Sequence, residues 1–180
     1  MTDYAFTAKL PPRLPRLAID LGYSATQASC GIATQKNKTH TLHFGACIEW
    51  TAEYLHSNGP HILILEAVLS TYHKADGNPH IRGTFEKGRG WYHGPGVSTY
   101  AAAFRFLQAL APQLPNFGPL PLVEGFLSYK PTKTSHAHDA ERLIKEFECA
   151  ERFTPCPGSE PICPLIDNIP EIRRYNKPTT

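Results

Sequence analysis

Three acidic residues carry the chemistry that this sequence points to. Asp20 lies in the apolar run Leu17-Ala18-Ile19-Asp20-Leu21-Gly22. Glu66 ends the run Ile62-Leu63-Ile64-Leu65-Glu66, and Asp139 follows His136-Ala137-His138 at the start of a helical pattern. A carboxylate in or beside a buried strand is costly unless it is paired, hydrogen-bonded or bound to a cation. Three of them on neighbouring elements point to a divalent metal site, and so to phosphoryl-transfer chemistry.

Each acid also has a plainer explanation. Asp20 before Leu21-Gly22 suits a turn at a strand end. Glu66 can form a structural ion pair with Arg82 or Arg89. Asp139 in the first turn of a helix complements the helix dipole without any metal. All three explanations must hold together to remove the site, so the set is stronger than any member.

The elements that must position these acids can be read along the chain. Residues 1–15 form a loose N-terminal arm. Residues 16–21 and 27–34 read as strands, and residues 39–48 as a third strand, with Thr41, His43 and Cys47 alternating against Leu42, Phe44 and Ile48. Trp50, Tyr54 and Leu55 at helical spacing predict a short amphipathic helix over 49–57, stopped by Asn58-Gly59-Pro60. The continuous apolar run 61–67 is typical of a strand covered on both faces, parallel to its neighbours. Residues 69–96 have no periodicity, and a loop of that length usually carries function or is disordered. An alanine-rich helix over 97–110, a fifth strand over 121–127 and a last helix over 135–150 follow, with Ser135 as the N-cap of that helix. The tail from 153 is rich in proline. The predicted order is β-β-β-α-β-α-β-α. The first three strands form an antiparallel meander, and the later ones are parallel and joined by right-handed crossovers. The fold class is α/β: a five-stranded mixed sheet with helices on both faces, within a domain spanning 16–152, followed by the tail 153–180.

The chain has 180 residues, enough for one domain with a real core. Hydrophobic residues at 41% and charged residues at 19% indicate a globular chain. No apolar stretch approaches the ~20 residues that span a bilayer, which argues against a membrane partner. The N-terminus lacks the apolar core of a signal peptide. A net charge of +2 permits a nucleic-acid partner without indicating one. The five cysteines are Cys30, Cys47, Cys149, Cys156 and Cys163. None forms a CxxC pair, so a zinc site is not expected. Cys30 and Cys47 read as small buried hydrophobes within strands. A reducing cytoplasm is the default compartment.

The element order, with acids on the first strand, the fourth strand and the last helix, resembles the ribonuclease H-like superfamily over about residues 16–150. His136-x-x-Asp139 is similar to the version of the motif in some RuvC-type resolvases, where a histidine and an aspartate complete a site begun by a first-strand Asp and a fourth-strand Glu. Leu65-Glu66-Ala67-Val68-Leu69-Ser70, Gly77-Asn78-Pro79 and His138-Asp139-Ala140 also resemble a bacterial family of predicted RNase H-like nucleases. In that fold the first and fourth strands are central neighbours, so Asp20 and Glu66 would face each other where open α/β sheets place their sites. The resemblance implies a metal-dependent nuclease acting on DNA or RNA, with Mg²⁺ or Mn²⁺ as cofactor. Resolvase-like enzymes act as dimers, which leaves a homodimer open.

Phosphodiester hydrolysis needs charge stabilised on the attacking and leaving oxygens, which two metal ions roughly 3.5–4 Å apart can supply. In this reading Asp20 bridges the ions, Glu66 holds one and Asp139 the other. His136 shares a helix face with Asp139, whereas His138 points elsewhere, so His136 is the favoured ligand, water-orienting group or proton donor. Glu124 in the fifth strand is a further ligand, or it bonds a neighbouring loop or faces solvent at a strand edge. Substrate contacts are expected from Arg82, Arg89, Trp91 and Tyr92, because cations mixed with rings suit phosphates and bases. Lys130 and Lys133 lie where the scissile phosphate is expected. Trp91 and Tyr92 can instead pin the loop to the core, and the lysines can be a solvated surface pair. The alternatives in function are a non-catalytic nucleic-acid-binding or scaffold module of the same fold and an actin-like phosphotransferase or ATPase. Ile19-Asp20-Leu21-Gly22-Tyr23-Ser24 resembles the first phosphate motif of the actin-like enzymes, but they need about twice this length.

Overall fold

Two strands whose residues between the first and last positions are all apolar set the architecture. Leu17-Ala18-Ile19 and Ile62-Leu63-Ile64-Leu65 are almost wholly buried, as expected for strands covered on both faces. The structure, a computed structural model, describes residues 6–7, 11, 13–36, 38–81, 88, 90–114, 120–126, 134–149 and 171–173. In chain order the elements are β1 (Phe6–Thr7), β2 (Arg16–Asp20), β3 (Cys30–Thr34), β4 (Thr39–Leu42), α1 (Phe44–Asn58), β5 (Ile62–Glu66), α2 (Gly94–Leu110), β6 (Leu120–Phe126), α3 (His136–Cys149) and β7 (Glu171–Arg173). A 3-10 turn, Ala111–Gln113, follows α2.

The central sheet has the order β6-β5-β2-β3-β4. As expected from the sequence, β2, β3 and β4 form an antiparallel meander, while β5 runs parallel to both β2 and β6. Two short strands extend it along β6: β1 beside Leu120-Pro121 and β7 beside Glu124–Phe126, both parallel. These add to the expected five-stranded mixed sheet. They come from the N-terminal arm and the proline-rich tail, and two or three residues are too few to show a period-2 pattern.

Helices cover both faces. On one face, Leu17, Ile19, Cys30, Ile32, Leu63, Leu65 and Leu122 pack with Cys47, Ala52 and Leu55 of α1 and with Ala103, Phe106, Leu107 and Leu110 of α2. On the other, Ala18, Ala33, Ile62, Ile64 and Val123 pack with Ala140, Leu143, Ile144 and Phe147 of α3, spaced i, i+3, i+4, i+7.

The third strand is shorter than the sequence suggests. Strand β4 ends at Leu42 and α1 begins at Phe44, so Cys47 lies on a helix. Adjacent Cys47 and Ile48 are both buried, with Thr51, Ala52 and Leu55 completing a helical stripe. A one-sided edge strand could bury only alternate residues. Gly59, at φ +81°, closes α1 through its N–H to the Leu55 carbonyl, a backbone angle that glycine adopts without penalty. Helix α2 likewise starts earlier than expected, so Gly94-Pro95-Gly96 is its first turn. The stretch before it is not structureless throughout. Residues 67–72 are buried, and a bridge between His73 and Pro79 closes a small turn.

Candidate metal centre

Registration of β2 against β5 places Asp20 directly opposite Glu66, each the last residue of its strand. The row across the sheet at this level reads Thr41, Gly31, Asp20, Glu66, Gly125. Because side chains alternate along a strand, this row shares a face with Ala18, Ala33, Ile64 and Val123, the face that α3 covers. The acids therefore sit one step beyond the apolar core, at the carboxyl ends of two parallel strands.

Helix α3 supplies the third carboxylate. Its buried stripe runs from Phe147 back through Ile144, Leu143 and Ala140, and ends on Asp139 and His136, which pass beyond the apolar rows. The helix can come this close because residue 31 is glycine. A Cβ there would run into the backbone of His136 and Ala137. One ligand oxygen from each of Asp20, Glu66 and Asp139 lies within 4.8 Å of the others. Asp20 and Asp139 are buried and Glu66 is half-buried.

The surrounding contacts orient these carboxylates. His136 Nδ1 lies 2.6 Å from Asp20 Oδ2. An ionised carboxylate only accepts, so Nδ1 carries the hydrogen and, in a neutral ring, Nε2 is the acceptor. Thr134 Oγ1 donates to Asp139 Oδ1 at 2.7 Å, and Arg142 Nη1 approaches the same oxygen at 3.9 Å. Ser135 Oγ accepts from the His138 N–H at 3.3 Å, the N-cap bond expected of it. His138 is exposed and turns toward Glu141, at 3.9 Å, away from the carboxylates.

No protein-family model matches the chain, and no similar chain is found among curated proteins or solved structures. The site must be judged on its own geometry.

Three oxygen ligands are the donor set that magnesium and manganese prefer. Ligand atoms within 4.8 Å of one another could hold a metal ion.

Glu124 does not join the cluster. It shares a row with Leu65 and so faces the α1/α2 side. There it is 1% exposed, and its Oε2 accepts the Ser70 N–H at 2.9 Å. Of the alternatives open for it, bonding a neighbouring loop is the one observed. Arg82, Arg89, Lys130 and Lys133 lie outside the described residues. Trp91 and Tyr92 are half-buried and touch ring to ring, with centroids 5.7 Å apart. Trp91 also donates its indole N–H to the His80 carbonyl at 3.1 Å and stacks edge-on against His73. That pins Trp91 to the 73–80 turn. Among the described residues, no helix is long and apolar enough to cross a membrane.

Sequence reasoning missed Thr134 and Gly31. Thr134 stands five residues before Asp139, a spacing with no periodic signal. Gly31 did carry one, since an isolated glycine within a strand marks a close backbone approach.

Proposed function

We propose that this protein is a divalent-metal-dependent nuclease with a ribonuclease H-like fold, hydrolysing phosphodiester bonds in DNA or RNA. The observation that carries the reading is the convergence of Asp20, Glu66 and Asp139 from three separate elements. The sheet order supports the fold assignment: the first and fourth strands of the five-stranded core, β2 and β5, are parallel neighbours at its centre.

Bound Mg²⁺ or Mn²⁺ would offset charge on the attacking and leaving oxygens and lower the pKa of water. Asp20, next to Glu66 in the row across the sheet, would be the carboxylate common to the ions. Glu66 and Asp139 would each hold one. His136 fixes one Asp20 oxygen through Nδ1 and leaves Nε2 to orient water or carry a proton. Thr134 holds the Asp139 carboxylate in place from behind, as outer partners of metal ligands do.

The test is cleavage of labelled single strands, duplexes, hybrids and branched DNA or RNA, with Mg²⁺, Mn²⁺ or excess chelator. Metal-dependent cleavage that disappears in Asp20→Asn is the expected result. Equal residual cleavage in the wild type and Asp20→Asn would reject the reading. Metal-dependent nucleic-acid binding without cleavage would leave a non-catalytic module.

A further inference from the structure

Arg142 stands three residues beyond Asp139 on α3, a spacing that makes two side chains neighbours on a helix. Helical side chains lean toward the helix N-terminus, so the long Arg142 side chain is carried back to the level of the carboxylates. Its Nη1 lies 3.9 Å from Asp139 Oδ1, and its side chain is 22% exposed. The guanidinium therefore sits beside the cluster and is open to a ligand. Among the described residues, no other arginine or lysine forms an ion pair with Asp20, Glu66 or Asp139.

A separation of 3.9 Å is too long for a hydrogen bond between these groups, which runs at about 2.7–2.9 Å. Asp139 Oδ1 accepts from the Thr134 hydroxyl instead, at 2.7 Å. The Arg142 guanidinium forms no hydrogen bond to a described residue. Its N–H donors make a flat fork that matches two oxygens of a phosphate. The other donors at the cluster are committed, the His136 Nδ1 proton to Asp20 and the Thr134 hydroxyl to Asp139. A fixed cation beside a metal site opposes the metal but favours an anion that arrives with it.

We propose that the Arg142 guanidinium donates hydrogen bonds to non-bridging oxygens of the phosphate group held at the Asp20–Glu66–Asp139 centre. This rests on the reading of that centre as a metal site for phosphodiesters. Arg142 is then a substrate-contacting residue supplied by α3, the helix that also brings Asp139 and His136.

The experiment measures Mn²⁺ binding, thymidine 5′-monophosphate binding in saturating Mn²⁺, and melting temperature, for the wild type, Arg142→Gln and Arg142→Lys. In Arg142→Gln, nucleotide affinity is expected to fall about ten- to hundredfold, the scale of hydrogen bonding to a charged group. Mn²⁺ affinity should hold or tighten, because a neighbouring positive charge is gone. Arg142→Lys keeps the charge without the fork, so its loss of nucleotide affinity should be smaller but measurable. The melting temperature should stay near the wild type, because a long, partly exposed ion pair contributes little. An Arg142→Gln protein that binds the nucleotide as well as the wild type overturns the assignment. So does one that binds Mn²⁺ more weakly, since Arg142 would then be a brace for Asp139. Should Arg142→Gln fail to fold, an Arg142→Lys protein with wild-type nucleotide affinity overturns it. A wild type that binds Mn²⁺ but no nucleotide overturns it too. Nucleotide loss at undiminished Mn²⁺ affinity, together with no cleavage by the wild type, would sink the nuclease reading and leave the phosphate contact standing. A wild type that binds no Mn²⁺ sinks both.

Discussion

Glu124 and Glu66 lie on adjacent strands, one row apart, yet they face opposite sides of the sheet. Glu124 is the more deeply buried, and it accepts a backbone N–H from Ser70. Such a bond to a charged acceptor is a good reason for a carboxylate to be inside a protein. Glu66 instead shares its surroundings with two further carboxylates. Burial of an acid is thus weak evidence of function. The company of the acid separates a fastening from a site, and the two faces of this sheet show one of each.

The sharpest way to break this contrast is to neutralise one acid from each side. Asp20→Asn should reduce metal-dependent cleavage by about 10³-fold or more, on the scale of losing a group that acts directly on transition-state charge. It should also abolish stabilisation by Mn²⁺, which at a hundred times Kd is worth about 2.7 kcal/mol in a protein that binds it only when folded. Without metal, the variant should melt close to the wild type, because asparagine keeps a side-chain oxygen that can accept from His136 Nδ1. Calorimetric melting with and without Mn²⁺ checks both statements. A metal-free Asp20→Asn protein that melts well below the wild type would show the cluster to be structural.

Two glycines flank the acid pair, and they offer a finer comparison. A Cβ on Gly31 meets the backbone of His136 and Ala137. Backbone at a helix start cannot step aside without moving the whole turn, so Gly31→Ala should displace Asp139 and His136 from Asp20. We expect Mn²⁺ affinity to fall at least about tenfold, with a stability loss of about 1–3 kcal/mol from overpacking. A Cβ on Gly125 meets the tip of the Leu143 side chain at 2.6 Å, and that tip can rotate. Gly125→Ala should therefore leave Mn²⁺ binding within about twofold while costing a similar or smaller amount of stability. Titration calorimetry on the two variants decides the matter. Equal effects on metal affinity would mean that the approach of α3 does not position the site.

On the other face, Glu124→Ala should destabilise the fold by about 1–3 kcal/mol, because the Ser70 N–H is left buried without an acceptor. Glu124→Gln keeps an acceptor and should lose less. Neither should alter Mn²⁺ affinity, in contrast to both Asp20→Asn and Gly31→Ala. Urea titrations paired with Mn²⁺ binding test this, and a Glu124 variant with weakened Mn²⁺ binding would contradict the separation of the two faces.

How far the sequence reveals all this depends on the range of the interaction involved. Leu17 to Ile19 and Ile62 to Leu65 declare buried parallel strands, because continuous apolar runs need cover on both faces. His136 and Asp139 declare a shared helix face by their spacing alone. The face of Glu124 needs the pairing with Leu65, which a strand pattern does not contain. The close packing at Gly31 requires knowing which residue lies opposite Asp20. The start of α1 was concealed because Thr41 to Ile48 can be read with period 2. Tertiary burial of the adjacent Cys47 and Ile48 overrides that reading.

The smallest expected effect belongs to His61, a buried residue on the α1/α2 side that touches the Tyr54 ring, with centroids 5.2 Å apart. Its Nδ1 lies 2.8 Å from the Gly59 carbonyl, which can only accept, so Nδ1 carries the hydrogen. Desolvation lowers the His61 pKa below 6.5; the Gly59 carbonyl pulls the other way, and Lys36 adds to the lowering. The folded state therefore favours the neutral ring. Above pH 6.5 both states are neutral there and His61 adds no slope. As pH falls below 6.5 the unfolded chain takes up a proton before the native chain does, so stability is lost down to the lowered native value. Urea unfolding of the wild type at pH 7.5 and 5.5 should show this loss, and His61→Leu should show a smaller one. An identical pH dependence in the two proteins would mean that the ring is protonated as readily in the fold as outside it.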